Sequence, residues 1–145
     1  MARTAAEIVE NVRRMVAGEE GHEAFADMFA ADGVMAYRFP VPGQPEEIKG
    51  RTEIRAWFDH TRGANVRSKI EIQSVEAICR LTDDPEVAVS EITHRGWSAL
   101  KQADYTFTAI AIMRIRDGEI LRYDDYMNPL LLSELLGIGS AEPAH

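Results

Sequence analysis

The chain has 145 residues, of which 46% are hydrophobic and 28% are charged, a composition typical of one globular domain rather than of a disordered segment. Its formal net charge of -8 disfavours binding to nucleic acid or to anionic membranes, because their phosphate groups are also negative. No apolar run approaches the ~20 residues that a membrane span needs. We therefore expect one domain over residues 1–145 with no nucleic acid and no membrane among its partners.

Cysteine and histidine usage gives no sign of a disulfide framework or a metal site. Cys79 is the single cysteine, and the four histidines are scattered without HxxxH or HExxH spacing: His22, His60, His94 and His145. The N-terminal segment "MARTAAEIVENVRR" carries acids among its apolar residues, which is not typical of a signal peptide. We expect a cytoplasmic protein with no metal.

Two stretches in the first half of the chain have the spacing of amphipathic helices. Thr4 and Glu7 make a capping box ahead of an apolar stripe, which predicts a helix from about Ala5 to about Ala17. The stretch "RTEIRAWFDHTR" collects its apolar residues on one face and predicts another helix.

The segment between these helices is predicted to contain a short helix, an extended segment and an irregular loop. The i, i+3, i+4 apolar pattern in "FADMF" predicts a short helix that ends near Ala31, followed by an extended segment from Val34 to Phe39. The loop "PVPGQPEEIKG" holds three of the six prolines and is expected to be irregular.

The second half of the chain alternates between apolar and polar residues with period two. Four segments show this pattern and predict long strands: "VRSKIEIQSVEAICRL", "EVAVSEITHRGW", "DYTFTAIAIMRI" and "EILRYDDYM". The pair Asp117-Gly118 predicts an antiparallel hairpin between the last two strands. A final helix is expected after Asn128 and Pro129, ending at Gly137. Helices followed by a long, mostly antiparallel sheet predict an α+β domain with its helices on one face of the sheet.

The last strand carries two adjacent carboxylates, Asp124 and Asp125, one of which must face inward because strand residues alternate. If Arg116-Asp117-Gly118 forms a three-residue turn, which we prefer, Asp125 faces Ala109 and shares its side with the inward row. The inward row is then Tyr105, Phe107, Ala109, Ala111 and Met113 on the first strand of the hairpin. The inward residues of the second strand are Met127, Asp125, Tyr123 and Leu121. A two-residue turn would instead place Ile110 opposite Asp125.

The small residues of this row leave space beside the acid, as a substrate cavity requires. If the connection after "GWS" is centred near Leu100, His94 lies beside Phe107 on the same inward face, in one cavity with Asp125. An apolar surround would raise the pKa of Asp125, and an imidazole could exchange protons with it near neutral pH.

The order of "FADMFAADGVMAYRF", "IKGRTEIRAWF" and "RIRDGEILRYDDYMNP" resembles the SnoaL-like branch of the nuclear transport factor 2-like superfamily over nearly the whole chain. "RYDDYMNPLLLSELLGI" is similar to the end of the phenazine-biosynthesis A/B proteins and, more loosely, to a strand of limonene-epoxide hydrolases. The resemblance implies a cone-shaped barrel, made by a strongly bent sheet wrapped on the N-terminal helices. It also implies a deep apolar cavity, no metal or organic cofactor, and a homodimer.

The resemblance also implies site residues. Asp125 corresponds to a functional glutamate of the phenazine proteins and to a catalytic aspartate of the epoxide hydrolases, whereas His94 stands where the hydrolases have their second aspartate. Ile92 replaces the arginine that the hydrolases use together with these two aspartates, so their Asp-Arg-Asp triad is not intact here. The base of ketosteroid isomerases corresponds to Tyr37 and their oxyanion-holding acid to Ala111, so neither acid is present.

We therefore expect a cofactor-free enzyme of secondary metabolism that binds a small apolar, oxygenated molecule. Asp125, assisted by His94, would move protons in an isomerisation, a cyclisation or an epoxide opening. The residues expected to contact the substrate are Tyr37, Tyr123, Phe107, Ala109, Ala111, Met127 and Trp57. The alternative is a non-catalytic binding or scaffold domain of the same fold, which uses the cavity to hold a ligand or the open sheet face to hold a partner. A cavity filled by Phe107, Tyr123 and Met127 would favour the scaffold.

A homodimer is expected through the outer face of the sheet. On the segment "DYTFTAIAIMRI" the residues expected to point outward are Thr106, Thr108, Ile110 and Ile112, and their row would present a continuous surface to a second copy.

Overall fold

The computed structural model describes residues 2–62 and 69–137, and within these ranges the chain forms three helices, one 3-10 turn and six strands. In chain order they are α1 (Ala5–Ala17), the 3-10 turn (Phe25–Met28), β1 (Phe29–Tyr37), β2 (Glu47–Lys49), α2 (Arg51–Arg62), β3 (Ile70–Leu81), β4 (Val87–Ser98), β5 (Ala103–Arg116), β6 (Glu119–Met127) and α3 (Pro129–Leu136). None of the described helices is long and apolar enough to cross a membrane.

The six strands form one sheet in the order β2-β1-β6-β5-β4-β3. All neighbouring pairs are antiparallel except β1 and β6, which run parallel. Among the described strands the sheet stays open, with β2 and β3 at its two edges. α1 packs mainly against β3 and α2 against β1. The α+β prediction is therefore confirmed.

The ends of α1 and α3 are fixed by the residues that the sequence suggested. The Thr4 hydroxyl accepts a hydrogen bond from the backbone N–H of Glu7 at 3.1 Å, and the Glu7 carboxylate accepts one from the N–H of Thr4 at 2.9 Å. Gly18 ends α1 in the left-handed conformation. Asn128 caps α3, and Gly137 ends it in the same way as Gly18. The predicted bounds of both helices are confirmed.

The short second helix predicted to end near Ala31 is wrong. The structure has a single 3-10 turn, and β1 begins directly after it at Phe29. The rings of Phe25 and Phe29 pack edge to face with their centroids 5.0 Å apart, so the apolar spacing that suggested a helix is satisfied by aromatic packing across the turn. The predicted extended segment therefore starts earlier and ends at Tyr37, and the proline-rich loop contains the short strand β2.

The hairpin of β5 and β6 has a different turn from the one that we preferred. Its turn consists of Asp117 and Gly118, both with positive φ (53° and 77°), and Arg116 pairs with Glu119 across it. This is the two-residue alternative. Two residues further along β6 the pairing shifts, and Leu121 is the extra residue of a β-bulge.

The bulge determines which way the acids face. A two-residue turn alone would place Ile110 opposite Asp125 and turn this acid outward. The extra residue restores the alternation, so Asp125 faces Ala111 instead of Ala109 or Ile110. Tyr123, Asp125 and Met127 keep the predicted inward positions, whereas the prediction for Leu121 is wrong, because Ile120 is the buried residue at the start of β6. Asp125 also lies two residues further along β5 than the three-residue turn implied.

The core has two parts. The larger cluster joins α1 and the 3-10 turn to the inner face of the sheet, and its fully buried side chains include Ile8, Met28, Phe29 and Ile54. The smaller cluster lies where α3 covers the sheet; its buried members are Ile70, Tyr105, Phe107 and Leu135. Residues of both clusters line one cavity, which places the site at their junction.

Candidate active site

A cavity of about 350 Å³ lies between the helices and the inner face of the sheet. This volume is within the usual range for small-molecule sites. Its wall is mostly apolar, with side chains from α1, α3 and the strands. Among the described residues, the polar side chains that reach it are Tyr37, Gln44, His94, Tyr123 and Asp125.

Asp125 is the carboxylate that faces this cavity. It lies between Ala111 on β5 and Tyr37 on β1, its partners across the two neighbouring strands. Burial raises the pKa of its carboxyl from 3.8 to about 7, and a hydrogen bond from the backbone N–H of Tyr126 offsets only part of this effect. Asp125 retains some accessible surface because it lines an open cavity.

The neighbouring Asp124 faces the other side of the sheet and is fully compensated. Its carboxylate accepts a hydrogen bond from Nε of Arg122 at 3.0 Å and lies 3.6 Å from a guanidinium nitrogen of Arg38. The sequence also allows a purely structural pairing of Asp125 with an arginine such as Arg95 or Arg122. Within the described part of the chain Asp125 has no ion pair, because Arg95 pairs with Glu76 and Arg122 with Asp124. A structural ion pair therefore does not account for Asp125.

Tyr37 places a hydroxyl group near Asp125. Its oxygen accepts a hydrogen bond from the indole Nε1–H of Trp57 at 2.8 Å. Burial, together with the charge of Asp125, raises the pKa of Tyr37 above its ordinary value, so the phenol keeps its proton. Since the indole can only donate, the Tyr37 proton remains available to an acceptor in the cavity.

Tyr123 belongs to the floor of the cavity. Its ring packs edge to face on Phe25 at 5.1 Å, and its hydroxyl is hydrogen bonded to the buried Ser90. Burial, with added contributions from Asp125 and Tyr37, raises the pKa of this phenol well above 10.0. Tyr123 is thus neutral and held in place.

His94 lines the same cavity, from β4. Its Nδ1 is hydrogen bonded to the Tyr105 hydroxyl at 2.8 Å, and its ring stacks on Phe107 with centroids 5.3 Å apart. Burial lowers the pKa of the imidazole to about 4, so His94 is neutral at pH 7. Our expectation that it exchanges protons near neutral pH is corrected by this burial.

The two candidate catalytic residues share the cavity but stand apart in it. His94 pairs with Phe107 and Asp125 with Ala111, four residues away on β5, which corresponds to about 13 Å along the strand. The two residues also come from the strands on either side of β5, about 10 Å apart. In the described residues no hydrogen bond joins them.

Most of the residues that we expected to contact the substrate line the cavity: Tyr37, Tyr123, Phe107, Ala109 and Met127. Ala111 and Trp57 do not, and this part of the expectation is corrected. Ala111 is almost fully buried beneath the inner face, whereas Trp57 stands behind Tyr37 and lines a separate open groove beside β2.

The sequence reasoning missed two contributors to the site. Leu132, Leu135 and Leu136 of α3 form part of the wall, although none of them was among the expected substrate contacts. Tyr105 was placed in the inward row but was not paired with His94. It lies opposite Gly96, which leaves it room to reach the neighbouring histidine.

No group of three or more histidine, cysteine, aspartate or glutamate side chains among the described residues is arranged to hold a metal ion.

The sequence profile of the SnoaL-like domain matches residues 9–123. The chain belongs to the SnoaL-like domain family.

Relatives of this SnoaL-like protein agree with that assignment. An uncharacterised PhzA/B-like protein of Pseudomonas aeruginosa is 29% identical over 130 residues, which cover 90% of this chain and 87% of the relative. A solved structure from Bacillus subtilis, whose name suggests an isomerase, superimposes with a TM-score of 0.69 at 21% identity. The match covers 92% of this chain and 96% of the Bacillus subtilis chain.

A second solved structure, from Mesorhizobium loti, has a name that suggests a SnoaL-like polyketide cyclase. Its TM-score is 0.55 at 13% identity, with 85% of this chain and 98% of that chain covered. At these identities the likenesses show the fold alone, which is the nuclear transport factor 2-like fold. The predicted resemblance and fold class are therefore confirmed.

Proposed function

We propose that this SnoaL-like domain catalyses a cofactor-free proton transfer on a small apolar carbonyl compound, leading to isomerisation or ring closure. The observation that carries the proposal is an unpaired carboxylate with a pKa of about 7 in a largely apolar cavity. Near pH 7 such a group is present in both protonation states, which suits a residue that must take up a proton and return it.

The chemistry follows from the neighbours of Asp125. Its carboxylate removes a proton from the carbon next to a substrate carbonyl, and the electron pair of that C–H bond forms the enolate. Tyr37, held by Trp57, donates its O–H to the enolate oxygen. The protonated Asp125 then returns its proton to another carbon, which completes an isomerisation, or to the oxygen formed when the enolate carbon attacks a second carbonyl, which completes a ring closure.

The open cavity favours the enzyme over the scaffold alternative. Phe107, Tyr123 and Met127 line the cavity and leave about 350 Å³ beside Asp125 unfilled. Epoxide opening by the hydrolase machinery is less well supported. The buried Ile92 occupies the position of its arginine, and the neutral His94 occupies that of its second acid.

The test measures proton removal directly and needs no knowledge of the natural substrate. The protein is incubated in D2O with beta-tetralone, an apolar ketone of two fused rings with an acidic CH2 group, and deuterium incorporation is followed by NMR. We expect exchange faster than in buffer, and a loss of about 100-fold or more in Asp125→Asn. Asp124→Asn is the matched control, since that carboxylate faces the other side of the sheet.

Two results would refute the proposal: no acceleration by the wild-type protein, or equal acceleration by the Asp125→Asn variant. Binding of the ketone without exchange would instead indicate the non-catalytic binding domain. The ratio of the deuterium exchange rates of Asp125→Asn and Asp124→Asn separates a chemical role of Asp125 from a general effect of removing a charge from β6.

We also propose a homodimer through the outer face of the sheet. On β5 this face presents Ile110 and Ile112, which are 40% and 37% exposed, beside Thr108. The Thr108 hydroxyl is hydrogen bonded to Thr93 of β4 at 2.9 Å. Apolar side chains in a continuous row on an exposed sheet face are typical of an interface between subunits.

A further inference from the structure

The end of the cavity farthest from Asp125 has a polar group of its own. His94 lines this end, its ring is stacked on Phe107, and its Nδ1 is hydrogen bonded to Tyr105. In the described residues Nε2 of His94 has no hydrogen-bond partner, so it is the ring atom that can serve a ligand. A half-buried polar atom in an apolar wall costs free energy unless something satisfies it.

The Tyr105 contact determines what Nε2 can offer. The imidazole is neutral, so one of its nitrogens accepts and the other donates. A phenol is the stronger donor and a neutral imidazole nitrogen the stronger acceptor, so Tyr105 donates its O–H to Nδ1. The proton of the ring then resides on Nε2, and His94 presents a fixed N–H donor to the cavity.

This donor lies too far from Asp125 to act on the same atoms. The four-residue offset along β5 and the two-strand spacing give a separation on the order of 10 Å between the side-chain ends, after allowing for the reach of both side chains into a concave sheet. A single carbonyl group cannot contact both residues. The cavity volume of about 350 Å³ equals the liquid volume of roughly a dozen water molecules, which suits a ligand of about two fused rings.

We propose that His94 is a specificity residue whose Nε2–H binds a second, remote oxygen of the substrate, at the opposite end from the carbon that Asp125 deprotonates. The substrate class is therefore a flat apolar compound of about two rings with an oxygen acceptor at each end. This inference rests on the proposed function for the Asp125 end only. Tyr105 is a positioning residue, because it acts on the substrate through the tautomer of His94.

The first test compares two ligands that differ by one acceptor atom. Both are beta-tetralones substituted on the far ring across from the ketone, one with a methoxy group and the other with an ethyl group of nearly the same shape. Calorimetric titration is expected to show that the wild-type protein binds the methoxy compound about three- to tenfold more tightly. In His94→Leu the two compounds should bind equally.

Two further variants keep the test independent of folding. His94→Gln retains a donor and should keep part of the preference, and Tyr105→Phe should reduce it because Nδ1 loses the hydrogen bond that fixes the tautomer. Circular dichroism checks that each variant is folded.

Several results would overturn the inference: equal binding of both compounds to the wild-type protein, a preference that survives in His94→Leu, or a preference for a far-ring hydroxyl group over methoxy, which would make Nε2 an acceptor. Failure of the proposed function looks different. In that case the methoxy preference still depends on His94, but neither the wild-type protein nor any variant accelerates deuterium exchange.

Discussion

Asp125 and His94 should make opposite contributions to the pH dependence of stability. The pKa of the Asp125 carboxyl is about 7 in the folded protein, against 3.8 when unperturbed. Between these values the unfolded chain has released this proton and the folded protein has not, so the free energy of unfolding falls as pH rises. The difference of about 3 units corresponds to at most about 4 kcal/mol, reduced by any water in the cavity.

His94 works in the other direction. Burial lowers its pKa from 6.5 to about 4, so between these values the unfolded chain binds a proton that the folded protein does not. The free energy of unfolding then rises with pH, by up to about 3 kcal/mol before allowance for cavity water. The two effects oppose each other between pH 4 and pH 6.5, so they nearly cancel in the wild-type protein.

Removing either group should expose the contribution of the other. Relative to the wild-type protein, Asp125→Asn should gain stability steadily as pH rises from 4.5 to 7, by up to about 3 kcal/mol, and His94→Leu should lose stability over a similar range. Urea unfolding at a series of pH values measures this, and surface carboxylates such as Glu86 contribute equally to all three proteins.

Asp124→Asn is the control for the aspartate, since its carboxylate is compensated by arginines on the opposite face. If the difference between the wild-type protein and Asp125→Asn stays constant across the pH range, the carboxyl is not desolvated as the fold implies. In that case the argument for a proton-transferring residue fails with it.

Three further predictions concern other parts of the molecule. Tyr37→Phe should slow deuterium exchange by about 10- to 100-fold while ketone binding changes little, because the hydroxyl held by Trp57 acts on the enolate oxygen; an equal loss of binding would contradict this. Gly96→Ala should unfold the protein or cost about 3 kcal/mol or more in urea unfolding, because the added Cβ would lie 1.8 Å from the backbone oxygen of Glu71; a wild-type midpoint would show that the two strands can separate there. Ile110→Glu should convert the proposed dimer to a monomer in sedimentation, and a monomeric wild-type protein would exclude that interface.

The helices and long strands could be predicted because their signals are local. The capping box at Thr4, the cap at Asn128 and the glycines that follow α1 and α3 each specify a boundary within a few residues of themselves. The error near Phe29 has the opposite cause. Apolar side chains at helical spacing can also be buried by one turn followed by a strand, and the choice depends on rings such as Tyr123 that come from far along the chain.

The site was predicted in part for a related reason. The alternation along β6 correctly placed Asp124 and Asp125 on opposite faces, because adjacent strand residues alternate, but which of the two faces inward depends on the register. The distance between Asp125 and His94 depends on the register, and the register depends on a turn and a bulge at Leu121 that the letters "RDGEIL" do not distinguish from a longer turn. The imidazole's neutrality could not be read from the sequence either, because it follows from the burial of His94 in the folded protein.

The bulge at Leu121 has a consequence for how related chains can vary in length. Beyond the bulge, β6 pairs with β5 as if the extra residue were absent, so Asp125 remains opposite Ala111. A relative that lacks one residue here can pair the two strands without the bulge and still direct its acid inward. The same one-residue change between Leu121 and Asp125 would turn the acid to the outer face. Sequence comparisons across this family therefore need to align the acid by its facing partner on β5 rather than by its distance from the turn.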